Sequence, residues 1–317
     1  MKRFENHSLR PYTTLRSGGS ADVVILSFNS QELSDVVTGL QREDVRPTLL
    51  GWGSNVLPSD HGVRGTVVVN QSVEIEFGED GLVTADSGIG FQEMFLKCAQ
   101  RSLGGLEFAV GIPGTLGGAL VSNAGAYRSN VSEFITEVEI AQHGLTQWVE
   151  PAYLEFSYRD SLLRRPNAPA IVVTRVRMRL PIRDQKAIYD EARDYQRQRI
   201  SKQPPPASAG SFFKNVNDMD LAQSLETLPE GLKKAGVVPA GYLIQICGLM
   251  GIEFRGAKFA NKHANFMTNV GGAAASSIRR LAEHVRHRVH EQYGVWLEEE
   301  VLYIGDWSGW ETTGRLE

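Results

Sequence analysis

Between residues 111 and 126 the chain reads Gly111-Ile112-Pro113-Gly114-Thr115-Leu116-Gly117-Gly118-Ala119, then Asn123-Ala124-Gly125-Ala126. Four glycines fall in the eight positions 111–118. A turn needs only one. Glycine reaches positive φ at little cost and lets another group lie against the main chain. Successive bare N–H groups are expected to form a concave donor surface suited to phosphate oxygens. The loop therefore reads as a seat for a large flat or anionic ligand.

The remaining chain bounds what that ligand serves. There are 317 residues, enough for two domains or three small ones. Apolar residues make up 42% and charged residues 22%, as in ordinary globular chains. The net charge of −4 argues against nucleic acid as a partner but leaves room for a local basic pocket. Cys98 and Cys247 lie in apolar surroundings and read as two buried thiols in a reducing compartment. Met1 to His7 lacks the apolar run of a signal peptide, and no stretch approaches a membrane span. A cytoplasmic protein is expected, with no membrane partner.

Periodicity predicts an α+β chain. Val23–Leu26 reads as a buried strand, and Asn29 with Glu32 as a helix start. Leu33, Val36, Val37 and Leu40 then share one helical face. Thr48–Leu50 completes a β-α-β unit. Further strands are expected at 66–69, 82–85, 135–141, 146–150 and 170–180. Phe91, Met94, Phe95 and Cys98 mark a short helix, and a polar helix covers 186–200. The run Gln203-Pro204-Pro205-Pro206-Ala207 cannot be helix and marks a domain boundary. Beyond it come a helix near 240–248, a strand near 265–269 and an amphipathic helix over 276–293. Val295–Leu297 through Ile304 reads as a closing strand, and Trp307–Glu317 as a surface tail.

Gly51-Trp52-Gly53-Ser54-Asn55 follows the Thr48 strand. It lacks the third glycine of a dinucleotide fingerprint, because Val56 stands there, and no acidic residue completes the ribose contact. Either a structural turn or a pyrophosphate loop fits it alone; the second glycine loop favours the latter. Neither loop ends in Gly-Lys-Ser/Thr, which disfavours nucleotide hydrolysis. Ala209-Gly210-Ser211-Phe212-Phe213-Lys214-Asn215 puts a serine on a glycine-flanked bend. It is not a nucleophile elbow, since Phe213 replaces the second glycine. Arg159 sits in Tyr158-Arg159-Asp160-Ser161, where a solvated surface arginine is the simpler reading. In Leu297-Glu298-Glu299-Glu300-Val301 an extended chain puts Glu298 and Glu300 on one face. Glu300 is the candidate acid or base there, against the alternative of a charged strand edge. His284, His287 and His290 spread around a helix, so they are expected to face water and no metal site is assigned.

Taken in order, these segments resemble the UDP-N-acetylenolpyruvoylglucosamine reductase family of bacterial cell-wall synthesis. Thr13-Thr14-Leu15-Arg16-Ser17-Gly18-Gly19, the two glycine loops, Asn123–Tyr127, Tyr158–Ser161, Gly210–Asn215 and Leu297–Val301 carry the resemblance, from about Asn6 to Gly305. It implies an FAD-binding fold of the vanillyl-alcohol-oxidase (PCMH) type in two subdomains, 1–68 and 69–200. A C-terminal α+β substrate-binding domain follows at 201–317. It implies Ser211 as proton donor, with Arg159 and Glu300 stabilising the enol. It places non-covalent FAD against Gly51, Gly53, Ser54, Asn55, Gly111, Pro113, Gly114, Thr115, Gly117, Gly118, Ala119 and Arg199. It places the sugar nucleotide at Tyr127, Tyr158, Lys202, Lys214, Asn215 and His263. NADPH is the implied reductant, and a monomer is expected.

The chain departs from the family pattern at Glu299, where proline is usual, at Val216, likewise, and at Arg128, where glycine is frequent. Arg159 and Ser211 stand 52 positions apart (211 − 159), which fits the shorter subtype without a substrate-covering tyrosine loop. Two other readings compete: an oxidase on the same fold, which would not need the Ser211, Arg159 and Glu300 set, and a sugar-nucleotide-binding protein without chemistry.

Overall fold

The computed structural model describes residues 1–165, 167–204 and 208–316. Pro205, Pro206 and Ala207 of the proline run, and the last residue of the tail, lie outside the described residues. The chain forms two compact units. The first comprises Met1–His7, Ala21–Gly53 and Arg64–Ser201; the second comprises Ser8–Ser20, Ser54–Val63 and Lys202–Glu317.

The first unit holds two larger sheets. One has the order Lys2–Ser8, Ser20–Ser27, Val63–Asn70, Thr48–Leu50, with the last two parallel. The other is antiparallel, in the order Leu145–Val149, Ile135–Gln142, Val172–Arg179, Leu82–Asp86, Ile75–Phe77. Helix Ser30–Arg42 begins where its sequence says: the Asn29 side chain accepts the Glu32 N–H at 2.8 Å. Its Leu33 and Val37 pack with Ile25 and Val68 of the first sheet and Ala141 and Val172 of the second. Helix Phe91–Ala99 buries Phe91, Met94, Phe95 and Cys98 in the larger core. Burial pushes the Cys98 thiol up to about 12, which keeps it protonated and inert. Cys247, expected buried, is only half-buried.

In the second unit, Ser208–Ser211, Phe266–Asn269, Ala257–Phe259 and Glu253–Phe254 form an antiparallel sheet in that order. Helix Ala275–Tyr293 lays Ile278, Leu281, Val285 and Val289 against Phe212, Phe213 and Phe259. Those three rings sit 5.3–6.2 Å apart. Asp60 accepts the N–H groups of Ala275 and Ser276, both at 2.8 Å, and so supplies the acidic N-terminal cap.

Three expectations fail here. The closing strand is only Leu302–Ile304, paired in parallel with Val56–Pro58. Residues 295–301 are irregular apart from one bridge, Phe213 opposite Glu299. The tail is no free surface segment either. Trp307 and Leu316 pack on the second core. The Arg279 guanidinium lies 4.7 Å from the ring centres of Tyr303, Trp307 and Trp310. The Trp310 indole donates to Glu283, which is 3% exposed, at 2.5 Å. The histidines expected to face water are covered instead: the His284 ring contacts the Gly314 carbonyl of the tail, and His290 stacks on Trp296, outside it. The sequence hid this because tryptophans near a chain end score as exposed until arginines come to meet them.

Trp310→Ala removes a hydrogen bond to a charged acceptor and a cation–π contact. It should cost about 2 kcal/mol, read as a lower urea midpoint at unchanged slope. An unchanged midpoint would return residues 307–316 to a dispensable tail.

Candidate functional site

The glycine loop of the first unit is built differently from its expected role. Residues 116–121 form a short helix whose N-cap Thr115 accepts the Gly118 N–H at 3.2 Å. Most loop donors are already spent. Gly111 donates to Gln92 (2.6 Å), Ile112 to Ala109 (3.0 Å), Leu116 to Ile89 (2.8 Å) and Gly117 to Ser87 (2.7 Å). The bareness instead serves close packing. A Cβ on Gly51 would overlap the Thr115 side chain, and one on Gly111 would sit 2.9 Å from Arg199 Cδ. Gly111 also has φ +72. Among the described residues, the amides of Trp52, Gly53, Gly114 and Thr115 have no protein acceptor. Those are the donors an anionic ligand would meet.

Arg159 sits at the tip of a tight turn closed by Ser157 and Asp160, with φ 54. A left-handed arginine costs about 1 kcal/mol or more, so its surroundings must hold it. Arg159 Nη2 donates to the Gly125 carbonyl at 2.6 Å. Asn123, also left-handed and buried, donates to the Ser157 carbonyl at 3.0 Å and accepts the Ser132 N–H at 3.3 Å. Asn123 thus ties the Arg159 turn to the Gly125–Asn130 hairpin. At that hairpin's two-residue tip stand Tyr127 (φ 55) and Arg128 (φ 68). A turn with both central residues at positive φ favours Asn-Gly, which explains why glycine suits position 128. Tyr127 stacks on Tyr195, centroids 3.8 Å apart and 4° from parallel.

Arg199 completes this group. Its Nη2 donates to the Phe108 carbonyl at 3.3 Å, and its guanidinium lies 5.7 Å from the Tyr127 ring centre. Burial, then the charge of Arg159, lower its proton affinity, while Tyr127 opposes them. Its Nε is buried without a hydrogen-bond partner among the described residues. Such an orphan is costly unless a ligand satisfies it. Tyr158 is 55% exposed beside Arg159.

In the second unit Ser211 ends strand Ser208–Ser211, just after left-handed Gly210 (φ 74) and an irregularity in the pairing with Phe266–Asn269. Such a bulge re-aims the following side chain. The Ser211 hydroxyl has no partner among the described residues. Phe213 bridges to Glu299: Glu300 N–H donates to the Phe212 carbonyl and Lys214 N–H to the Glu298 carbonyl, both at 2.8 Å. The Glu300 carbonyl accepts Asn55 Nδ2 at 3.0 Å, and Leu302 N–H donates to Asn55. Ser211 and Glu300 therefore ride on two directly joined segments. Asn55 Oδ1 is likewise buried without a hydrogen-bond partner among the described residues.

Glu299, beside Glu300, is a half-buried carboxyl. Desolvation raises its pKa against the Tyr303 hydroxyl, which donates at 2.6 Å, and Arg286 at 3.8 Å. The substrate candidates divide. Lys214 pairs with Glu298 at 2.5 Å, and Asn215 accepts the Ala240 N–H at 3.3 Å. His263 accepts the Asn265 N–H on Nδ1 at 3.3 Å, so the neutral ring carries its proton on Nε2. Burial lowers the His263 pKa, and the charge of Lys202 adds to that effect. Sequence reasoning missed Asn265 and Tyr195. Asn265 is 3% exposed and fastens Phe213 on both sides: Oδ1 accepts its N–H at 3.0 Å and Nδ2 donates to its carbonyl at 2.8 Å. A polar residue inside the apolar run Ala264–Met267 was the available signal.

A folded-state pKa below 6.5 makes His263 stabilising above that pH, and the contribution is lost as pH falls through the folded value. His263→Gln should therefore lose less melting temperature than the parent between pH 7.5 and 5. Equal losses would remove His263 as the titrating group.

Two family models match the chain: "FAD binding domain" over residues 21–147 and "UDP-N-acetylenolpyruvoylglucosamine reductase, C-terminal domain" over residues 200–304. The reductase of Bacillus subtilis (strain 168) is 33% identical over 310 residues, covering 96% of this chain and 94% of that protein. That of Synechococcus sp. (strain JA-3-3Ab) is 35% identical over 303 residues, 95% and 90% of the two chains. The crystal structure of UDP-N-acetylenolpyruvylglucosamine reductase (MurB) from Thermus caldophilus superposes with a TM-score of 0.74 at 30% identity. It spans 96% of this chain and 98% of that one. No helix among the described residues is long and apolar enough to cross a membrane. With a match over nearly its whole length in sequence and fold, the chain belongs to the UDP-N-acetylenolpyruvoylglucosamine reductase family.

Proposed function

We propose that this chain reduces UDP-N-acetylenolpyruvoylglucosamine to UDP-N-acetylmuramate with NADPH and non-covalent FAD, as a cytoplasmic monomer of the shorter subtype. The observation that carries the reading is the Ser211 hydroxyl, without a partner among the described residues, next to the Phe212–Lys214 segment that is fastened to the Glu300 segment. In this reading residues 1–68 and 69–200 are the FAD subdomains and 201–317 the substrate domain.

The residues fit FAD. Among the described residues, buried Arg199 Nε and Asn55 Oδ1 lack partners, and open amides stand at Trp52, Gly53, Gly114 and Thr115. Gly51, Gly53, Ser54, Asn55, Gly111, Pro113, Gly114, Thr115, Gly117, Gly118, Ala119 and Arg199 would hold it. Neither loop carries a histidine or cysteine that could tether it. When bound, FAD supplies the hydride-transfer chemistry, with electrons from NADPH.

The chain's own residues do the rest. Reduction at C3 of the enolpyruvyl group leaves negative charge at C2 and on the carboxylate. Arg159 is permanently charged, and its planar fork suits that carboxylate. Its turn is held by Gly125 and Asn123, so little reorganisation is needed as charge develops. Glu300, in its protonated form, donates a hydrogen bond to the same group. Ser211 protonates C2; a serine hydroxyl is a weak acid, and an enolate carbon is a sufficiently basic acceptor. Tyr127, Tyr158, Lys202, Lys214, Asn215 and His263 contact the sugar nucleotide. Neutral His263 offers a donor, and Lys202 a charge, to the diphosphate.

Ser211→Ala separates the half-reactions. Flavin reduction by NADPH should persist, while reoxidation by the enolpyruvyl substrate falls by about 10²–10⁴-fold. Equal loss of both would end the proton-donor role. Arg159→Lys should fail in the same half-reaction, because a point charge cannot replace a bidentate fork; near-normal turnover there would take Arg159 out of the mechanism.

A further inference from the structure

The Tyr127 hairpin has only two ladder pairs, Gly125 with Asn130 and Ala126 with Ser129. Two short strands are marginal by themselves, and this turn also carries two left-handed side chains. Something outside the hairpin must fix the Tyr127 ring. Its ring lies flat on Tyr195, and its hydroxyl donates to the Tyr195 carbonyl at 3.1 Å. Tyr195 is in turn pinned. Its hydroxyl donates to Glu191 at 2.8 Å, one helical turn earlier. Glu191 pairs with Arg183 at 2.9 Å, and Arg183 with Glu107 at 2.7 Å. Glu107 is 3% exposed and accepts the Gly105 N–H at 2.7 Å. The chain of contacts runs unbroken from the core of the first unit to Tyr127. Arg199, one turn beyond Tyr195 on the same helix, places its guanidinium 5.7 Å from the Tyr127 ring centre.

We propose that Tyr195 is a positioning residue: its ring is the platform that holds Tyr127 in place for the sugar nucleotide. This rests on the reading of Tyr127 as a substrate contact. The stacked ring, rather than the hydroxyl, does the positioning, because the hairpin can tilt about its two pairs but cannot pass through a flat aromatic surface. Tyr195 acts through the Tyr127 ring that lies on it. Its loss should weaken sugar-nucleotide binding and leave reduction by NADPH alone.

The test compares Tyr195→Leu with Tyr195→Phe in the FAD-loaded protein. Two quantities are read: the Kd for UDP-N-acetylmuramate by titration calorimetry, and KM and kcat with the enolpyruvyl substrate. Leucine should raise Kd and KM about tenfold, the upper worth of a stacked aromatic pair, with kcat and the NADPH half-reaction within twofold. Phenylalanine keeps the stack and should stay within twofold of the parent throughout. Should the leucine variant fail to fold, Tyr195→Gln, a good helix former at this half-buried position, carries the same expectation. Unchanged Kd in the leucine or glutamine variant overturns the proposal. So does a phenylalanine variant as weak as leucine, which would mean the hydroxyl and general stability were at work. A parent protein that fails to bind UDP-N-acetylmuramate instead removes the substrate reading, and this proposal with it.

Discussion

The second unit depends on one buried amide. Asn265 grips Phe213 by both its N–H and its carbonyl, and the Asn265 carbonyl accepts the Phe212 N–H at 2.8 Å. The reward for satisfying these groups is modest, but leaving a buried donor and acceptor unpaired costs about 1–3 kcal/mol each. That asymmetry fixes the register of the Ser211–Asn215 segment. The bridge from Phe213 to Glu299 then carries the register across to Glu300, whose carbonyl is held by Asn55. A serine and a carboxylate nearly ninety residues apart (300 − 211) acquire a common frame through main-chain bonds.

The first unit reaches its precision by a different route. Its glycines are there mainly so that backbones can approach: Gly51 against Thr115, Gly111 against Arg199, Gly117 against the Ser87 carbonyl. Once packed, the segment leaves few open amides among the described residues: Gly114 and Thr115 within the glycine run, and Trp52 and Gly53 in the 51–55 loop. Asn123, Tyr127, Arg128 and Arg159 all have positive φ without being glycine. Residues kept in such conformations persist where surroundings over-determine them, and here the surroundings are the Asn123 bonds and the Tyr127–Tyr195 stack.

Much of this architecture was legible in the sequence. Local signals were read correctly where local physics decides: the Asn29 cap, the Leu33–Val37 stripe, the helix over 276–293 and the long strands of the first unit. The family was legible because motif order and identity rarely coincide. What stayed hidden depends on partners distant in sequence. The 295–301 stretch looks like a strand but finds only one bridge. The tryptophans of the tail look exposed until Arg279 and Arg280 meet them. Asn265 and Tyr195 carry no motif at all; their importance lies in what they touch. The glycine loop shows a subtler limit. Composition revealed that something must lie close to the backbone, and could not say that much of it would be the protein's own side chains.

The account stands on one reaction. The direct measurement is NADPH oxidation by the purified protein, without oxygen, in the presence and absence of UDP-N-acetylenolpyruvoylglucosamine. The account predicts oxidation that requires this substrate and yields UDP-N-acetylmuramate mole for mole. A flavin-bearing protein whose NADPH oxidation ignores the substrate would contradict it, leaving the fold in place and the assigned chemistry without support.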